Sequence, residues 1–107
     1  MINRSMRLMV FFDLPVTTRK DRKEYVKFRK YLVTSGYAMI QFSVYSRVTS
    51  NHDDARKYLT DLKRNLPPKG SVRVMQVTEK QYNAMFIFVG NKTASEDFLT
   101  PVDFTEL

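Results

Sequence analysis

The sequence predicts an α+β domain in which two helices pack against an antiparallel sheet. Three features support this prediction: apolar segments of strand length, two segments with apolar residues at helical spacing, and Gly or Pro at the junctions between them. The 107 residues, 43% of them hydrophobic, are enough for one core and argue against disorder.

The first strand is predicted over Met6–Asp13, where most residues are apolar. Successive side chains of a strand point to opposite faces, so both faces of this strand are largely apolar. This pattern is typical of a central strand that is covered on both sides. Pro15 then ends the strand, because proline has no N–H for the ladder.

The first helix is predicted to begin after Thr18, an N-cap residue with Asp21 at the capping-box position. It is expected to run to about Ser35, because Gly36 is a natural C-terminal stop. Its buried stripe consists of apolar residues at helical spacing and the aliphatic stems of two basic residues, namely Tyr25, Phe28 and Leu32 with Arg29 and Lys30.

A long second strand is predicted over Tyr37–Val48, with a break into two strands near Ser43–Ser46. One face is apolar, and the other is semi-polar and aromatic, as expected of a surface that meets a partner. The apolar face is assigned to Ala38, Ile40, Phe42, Val44 and Val48, and the other face to Tyr37, Met39, Gln41, Ser43, Tyr45 and Arg47.

A second helix is predicted over about residues 51–66, with Ser50 or Asn51 as its cap and Pro67-Pro68 as its end. Its predicted buried stripe is Ala55, Tyr58, Leu59, Leu62 and Leu66.

The remaining elements are a third strand, a single helical turn, a fourth strand and a short C-terminal edge strand. They are predicted at Ser71–Thr78, Glu79–Ala84, Met85–Val89 and Phe98–Phe104. In outline the order is β-α-β-β-α-β, which predicts a ferredoxin-like fold with both helices on one face of the sheet. Residues 1–90 would form this domain and residues 91–107 its tail.

The formal charge of +7 is unevenly distributed. Residues 1–90 carry 17 basic and 7 acidic side chains, a net charge of +10, whereas residues 91–107 carry a net charge of −3. A basic body favours polyanions such as nucleic acid through counterion release, although excess Lys and Arg can also serve solubility alone. The chain has no cysteine, which excludes disulfides, thiol nucleophiles and thiolate zinc sites.

Four cations occupy the first turns of the predicted first helix, where they oppose the helix dipole at a cost of roughly a few tenths of a kcal/mol each. A phosphate backbone at this helix N-terminus would turn that cost into a gain. The alternative is an ordinary solvated basic face. The four candidate phosphate contacts are Arg19, Lys20, Arg22 and Lys23.

Asp13 ends the first strand just before a turn, a position from which a carboxylate can bind Mg²⁺. One Asp supplies only one or two of the oxygens that Mg²⁺ needs, so a two-fold dimer would have to bring two copies together. The alternative is that Asp13 caps the following turn. His52, the only histidine, is expected at the surface and forms no catalytic triad. No signal peptide or membrane span is expected, so the protein is predicted to be cytoplasmic.

Several short motifs carry a family resemblance: Phe12-Asp13-Leu14-Pro15, the basic first helix, Gly36-Tyr37, and Gln41-Phe42-Ser43-Val44-Tyr45. In this order and spacing the chain resembles the CRISPR-associated Cas-two family, the small subunit of the spacer-acquisition complex. The likeness covers roughly residues 6–90. The segment Val77–Gln81 also resembles versions from loci with a single-protein effector nuclease.

The resemblance implies a homodimer in which two Asp13 residues face each other across the two-fold axis and share one Mg²⁺. It also implies a partner integrase, whose dimers the small dimer bridges while it measures duplex DNA. Family members have been described as metal-dependent RNA or DNA endonucleases, in which case Asp13 is the catalytic and metal-site residue. In the family the second strand commonly ends with Glu, but Tyr45-Ser46 stands there in this chain, which leaves one carboxylate per protomer.

The resemblance further implies that the tail docks the integrase or completes the dimer's own sheet. The predicted anchors are Phe98, Leu99, Val102 and Phe104. The sequence therefore favours a subunit of CRISPR adaptation that holds duplex protospacer DNA through its phosphates. The alternatives are a Mg²⁺-dependent nuclease, or a stand-alone metal-dependent ribonuclease or RNA-binding module of the same fold.

Overall fold

The computed structural model describes residues 5–90, which form one four-stranded sheet with two long helices and one short helix. The strand order is β2-β3-β1-β4, and all neighbouring strands are antiparallel. This order confirms the ferredoxin-like α+β fold. The elements are β1 (Met6–Asp13), α1 (Arg19–Thr34), β2 (Ala38–Gln41), β3 (Val44–Thr49), α2 (His52–Lys63), β4 (Ser71–Thr78) and α3 (Glu79–Asn83).

Strand β1 is central, as predicted, and seven of its eight residues are buried or half-buried. Its residues Leu8, Val10 and Phe12 form the core with side chains from α1 and α2, so the two long helices lie on the same face of the sheet. None of the helices in residues 5–90 is both long and apolar enough to cross a lipid bilayer.

Helix α1 has the predicted capping box. The backbone N–H of Asp21 donates to Thr18 Oγ1 at 3.0 Å, and the backbone N–H of Thr18 donates back to Asp21 Oδ2 at 3.3 Å. Burial alone would raise the pKa of the Asp21 carboxyl, but the Thr18 hydrogen bonds and the charge of Lys69 hold it below its ordinary value. Phe28 and Leu32 of the predicted stripe are buried.

The predicted second strand divides into β2 and β3 at Phe42–Ser43, but the assignment of its faces was wrong. Strand register pairs Tyr45 with Val10, which places the tyrosine on the core side, and Tyr37 also enters the core. Phe42, assigned to the apolar face, is 78% exposed. The two tyrosines take core positions because their rings are large and apolar. Burial raises the pKa of Tyr37 to about 12.

Helix α2 is shorter than predicted, because it ends at Lys63 instead of continuing to residue 66. Its cap is Asn51, whose Oδ1 accepts from the backbone N–H of Asp54 at 2.9 Å. Ala55 and Leu62 are buried as expected, whereas Leu66 lies beyond the helix and is half exposed. The helix ends about one turn before Pro67, in keeping with the rule that the helical conformation is unfavourable for a residue that precedes proline.

The predicted strand Met85–Val89 is absent from residues 5–90. Its residues alternate suitably, but a strand has to join a sheet, and this segment is not one of the four strands in the described part of the chain. The fourth strand of the fold is instead Ser71–Thr78. Phe86, Phe88 and Val89 are exposed. The predicted edge strand Phe98–Phe104 lies outside the described residues.

A buried ion pair fixes α3 on the sheet face opposite the long helices. Arg7 Nε lies 2.5 Å from Glu79 Oε1, and Arg7 Nη1 donates to Ser46 Oγ at 3.2 Å. The guanidinium also lies over the ring of Tyr82, 4.0 Å from its centroid. Arg7 and Glu79 are both buried, so this contact replaces the water that both charges lose.

Candidate nucleic-acid interface

Asp13 is the last residue of β1 and is exposed. It pairs across the sheet with Ser71, the first residue of β4. Its carboxylate makes no hydrogen bond or ion pair with another described residue, so the alternative of a turn cap is not seen. Both carboxylate oxygens are therefore available to a ligand.

Gly70 lies directly against the backbone of Asp13. This glycine has φ of +93°, and a Cβ built on it would lie 2.6 Å from the carbonyl oxygen of Asp13 and 2.8 Å from Leu14 Cδ2. A side chain at position 70 would therefore push away the strand end that carries the carboxylate. Only glycine combines this φ with so close an approach.

The four predicted cations at the start of α1 fall into two groups. Arg19, Lys20 and Lys23 are exposed and make no ion pair with a described residue. Arg22 instead folds back, and its Nη1 donates to the carbonyl oxygens of Val16 at 3.2 Å and Thr17 at 2.9 Å. Arg22 thus also braces the turn that leads from Asp13 into the helix.

Asp13 and the first turns of α1 line two adjoining hollows. Leu14 and Tyr25 are common to both. Lys20 borders the smaller hollow, and Asp13 borders the larger one. The structure therefore brings the predicted carboxylate and one predicted cation, Lys20, to neighbouring hollows of one surface.

Arg29, predicted to contribute only its aliphatic stem to the buried stripe of α1, is a further candidate site residue. Its Nε donates to the hydroxyl of Tyr45 at 3.0 Å, and this hydrogen bond raises the pKa of the guanidinium above its ordinary value. The side chain lines the same hollow as Asp13. One signal in the sequence was its spacing, because Arg29 follows Tyr25 by four residues and so shares a helix face with it.

A single protomer does not provide a complete Mg²⁺ site. Within residues 5–90 no group of three or more His, Cys, Asp or Glu side chains could hold a metal ion. Among the described residues, Asp13 is the only acidic one that lines the larger hollow. Since Mg²⁺ prefers six oxygen ligands, a second carboxylate, waters or substrate oxygens would have to come from elsewhere. His52 lies apart from this site, with Nδ1 3.1 Å from Gln76 Nε2.

Comparison with known proteins bears out the resemblance. A family model described as "CRISPR associated protein Cas2" matches residues 6–85, which run from β1 through α3. The chain belongs to the Cas2 family. Because the match includes Asp13 and all of α1, the candidate interface lies within the family region of the chain.

Individual Cas2 relatives are similar over most of their length. A protein from Acidovorax ebreus is 53% identical over 79% of this chain and 83% of its own length. One from Ligilactobacillus salivarius is 51% identical over 81% and 86%. One from Lacticaseibacillus rhamnosus is 43% identical over 94% and 97%. Each of the three is named CRISPR-associated endoribonuclease Cas2.

Proposed function

We propose that this Cas2 chain is a cytoplasmic, homodimeric subunit of CRISPR spacer acquisition that holds duplex protospacer DNA through its phosphates. The observation that carries the proposal is the exposed group of Arg19, Lys20 and Lys23 at the start of α1, none of which forms an ion pair with a described residue. Cations in this position are unfavourable for the isolated helix, and a bound phosphate reverses the sign of that effect.

The chemistry of this surface suits backbone contact better than base recognition. Lysine acts as a flexible point charge, and it binds phosphate without reading sequence. The net charge of +10 over residues 1–90 adds long-range attraction for any duplex. The expected complex is therefore strongly dependent on salt and indifferent to DNA sequence.

Reversing the three exposed charges tests this surface. We expect the triple variant Arg19→Glu, Lys20→Glu and Lys23→Glu to bind duplex DNA about tenfold or more weakly at 0.15 M salt, because a side chain that no longer neutralises a phosphate releases no counterion. The slope of log K against log salt should become shallower by about 1 for each phosphate that the variant leaves unneutralised. Fluorescence anisotropy over a salt series measures both quantities.

A matched control removes the same charge elsewhere: Lys27, Lys30 and Lys57, all exposed, are changed to Glu. Arg22 is left unchanged because it also braces the turn before α1. If the two triple variants have the same affinity for duplex DNA, the affinity depends on overall charge, and the assignment of the phosphate contacts to the start of α1 fails.

Further support for an assembly comes from the apolar residues at the end of the described chain. The rings of Phe86 and Phe88 are stacked with their centroids 6.1 Å apart, and Phe88 is 89% exposed. We assign this region and the tail to contacts with the second protomer and with dimers of the integrase that the Cas2 dimer bridges. The tail anchors Phe98, Leu99, Val102 and Phe104 lie outside the described residues.

A second candidate function is Mg²⁺-dependent endonuclease activity on RNA. The names of the relatives and the exposed, unpartnered carboxylate of Asp13 favour it. A homodimer that brings two Asp13 side chains together would provide two carboxylates at one point. Mg²⁺ bound there would neutralise negative charge on the phosphate.

Asp13→Ala distinguishes the two candidates in an in vitro spacer-integration assay with the integrase encoded beside this protein. We expect the variant to remain dimeric and to support integration at the wild-type rate, because phosphate contacts at α1 do not involve Asp13. Dimer mass and duplex affinity are measured on the same preparation. Loss of integration by a dimer that still binds DNA would favour the endonuclease.

The stand-alone ribonuclease or RNA-binding module gives a different result in that assay. It predicts that the free dimer binds single-stranded RNA tightly, and that neither Asp13→Ala nor the wild type affects integration. An integrase that works equally well without this chain would establish that interpretation and overturn the proposed role in spacer acquisition.

A further inference from the structure

The smaller hollow lies between the first turns of α1 and the loop that joins α2 to β4. It encloses about 70 Å³, and its apolar walls are Leu14, Pro15, Tyr25, Pro67 and Pro68. Because a proline ring is fixed to the backbone, these three prolines cannot turn into the hollow and fill it. The volume is roughly half of the 150 Å³ of a cavity that holds benzene, so a branched aliphatic side chain fits and an aromatic ring does not.

The most exposed charges at the rim of the smaller hollow are positive. They belong to Lys20, which is exposed, and to Lys69, whose side chain is 69% exposed. Two acidic residues also line the hollow. The Asp21 carboxylate accepts the backbone N–H of Thr18 and lies 3.7 Å from Lys69 Nζ, and Glu24 is half-buried. A fitting occupant is therefore an aliphatic side chain that has carboxylates beside it.

The tail of the same chain has this composition. Residues 91–107 carry a net charge of −3, whereas residues 1–90 carry +10, so the body attracts the tail. Within the tail, Leu99 follows the acidic pair Glu96 and Asp97 and is aliphatic, unlike its neighbour Phe98. Charge and volume therefore select Leu99 as the side chain that fits the smaller hollow.

The tail is also long enough to reach the smaller hollow. Leu99 is nine residues beyond Gly90, and nine residues can span about 30 Å, more than the roughly 24 Å between the two ends of β1. A tethered segment of this length has an effective concentration of about a millimolar, so a contact that would be weak between separate molecules is well populated.

We infer that Leu99 occupies the smaller hollow of its own protomer when no integrase is bound. Its acidic neighbours then face Lys20 and Lys69, and the tail competes with duplex DNA for Lys20. The inference deepens the proposed function, on which its consequence for DNA rests. Because the tail is also assigned to the integrase, docking of the integrase withdraws Leu99 and frees Lys20. By linkage, integrase docking and duplex binding then strengthen each other.

Removing the aliphatic side chain tests this competition without changing any charge. We expect Leu99→Ser to strengthen duplex binding by the full-length protein about fivefold or more, the lower end of typical coupling between two sites. Val102→Ser is the matched control, since it removes another aliphatic side chain of the tail, and it should change the affinity by less than about twofold because no phosphate contact is altered. Fluorescence anisotropy without integrase measures all three proteins. An unchanged or lower affinity for Leu99→Ser, or an equal rise for Val102→Ser, overturns the inference.

A second test locates the tail without any nucleic acid. The chain has no cysteine, so Lys69→Cys with Thr100→Cys introduces one pair, at the rim of the hollow and beside Leu99. We expect this pair to oxidise in a glutathione buffer about tenfold faster than Lys57→Cys with Thr100→Cys, because a disulfide requires two Cβ atoms about 4 Å apart. Lys57 is exposed, like Lys69, but does not line the smaller hollow. Adding Leu99→Ser should slow the first pair to the rate of the control.

Electrophoresis without reductant identifies the protomer that supplies the tail. An oxidised protein that migrates as a single chain supports binding of the tail to its own protomer. A covalent dimer would show that the second protomer supplies the tail and would overturn the inference, as would equal oxidation rates for the two cysteine pairs. Failure of the proposed function looks different: the α1 charge-reversal variant then binds duplex normally, while the disulfide still forms.

Discussion

Glu79→Ala is expected to lower the free energy of unfolding by about 3–5 kcal/mol, because it leaves Arg7 charged and without its partner in the interior of the sheet. The side chain of Arg7 is 2% exposed and that of Glu79 8% exposed, so water cannot replace the missing carboxylate. The Ser46 hydroxyl and the Tyr82 ring remain but cannot balance a full charge. Urea unfolding at a fixed protomer concentration measures the loss, since dimerisation would add to the apparent stability.

The double variant Arg7→Met with Glu79→Ala is the control for this prediction. It removes both charges and should recover much of the stability, because a buried pair is often replaceable by apolar side chains. Glu79→Gln should lie between the wild type and Glu79→Ala, since an amide oxygen still accepts from Arg7 Nε. A loss below about 1 kcal/mol for Glu79→Ala would contradict the burial of this pair.

Gly70→Ala is the second substitution for which we expect a large effect, a loss of about 2–6 kcal/mol in the free energy of unfolding. Two costs add: an unfavourable backbone conformation of about 1–3 kcal/mol at φ of +93°, and overpacking of about 1–3 kcal/mol where the new Cβ meets the Asp13 carbonyl at 2.6 Å. Thermal and urea unfolding of the variant measure the sum.

Gly90→Ala is the matched control. Gly90 has a similar φ of +106°, but a Cβ there would meet no atom of a described residue within 4 Å. It should therefore show the cost of backbone conformation alone. If Gly70→Ala and Gly90→Ala destabilise the protein equally, the close approach of the α2–β4 loop to the Asp13 carbonyl contributes nothing to stability.

Local signals in the sequence predicted most of the fold. The capping box at Thr18 and Asp21 and the apolar strand Met6–Asp13 depend on neighbouring residues, so the pattern alone was sufficient. The faces of β2 and β3 were misassigned because large tyrosine rings were interpreted as polar surface residues. Met85–Val89 was misassigned because alternation does not reveal whether a neighbouring strand exists.

The candidate site could be predicted only in part for a similar reason. Asp13 and the cations of α1 follow from their positions along the chain. The larger hollow is lined by Arg29 and by Tyr45, which follows sixteen residues later. The hydrogen bond between them depends on how the β2–β3 hairpin packs against α1. The bracing role of Arg22 also depends on a side-chain direction that helical spacing does not determine.

The buried pair of Arg7 and Glu79 has a consequence for synthesis on the ribosome. Its two members are 72 residues apart, so β1 is synthesised well before the carboxylate that matches the charge of Arg7. Until then Arg7 has to stay hydrated, which disfavours early closure of the sheet around β1. The sheet face that carries α3 is therefore expected to close last, after α3 has left the exit tunnel.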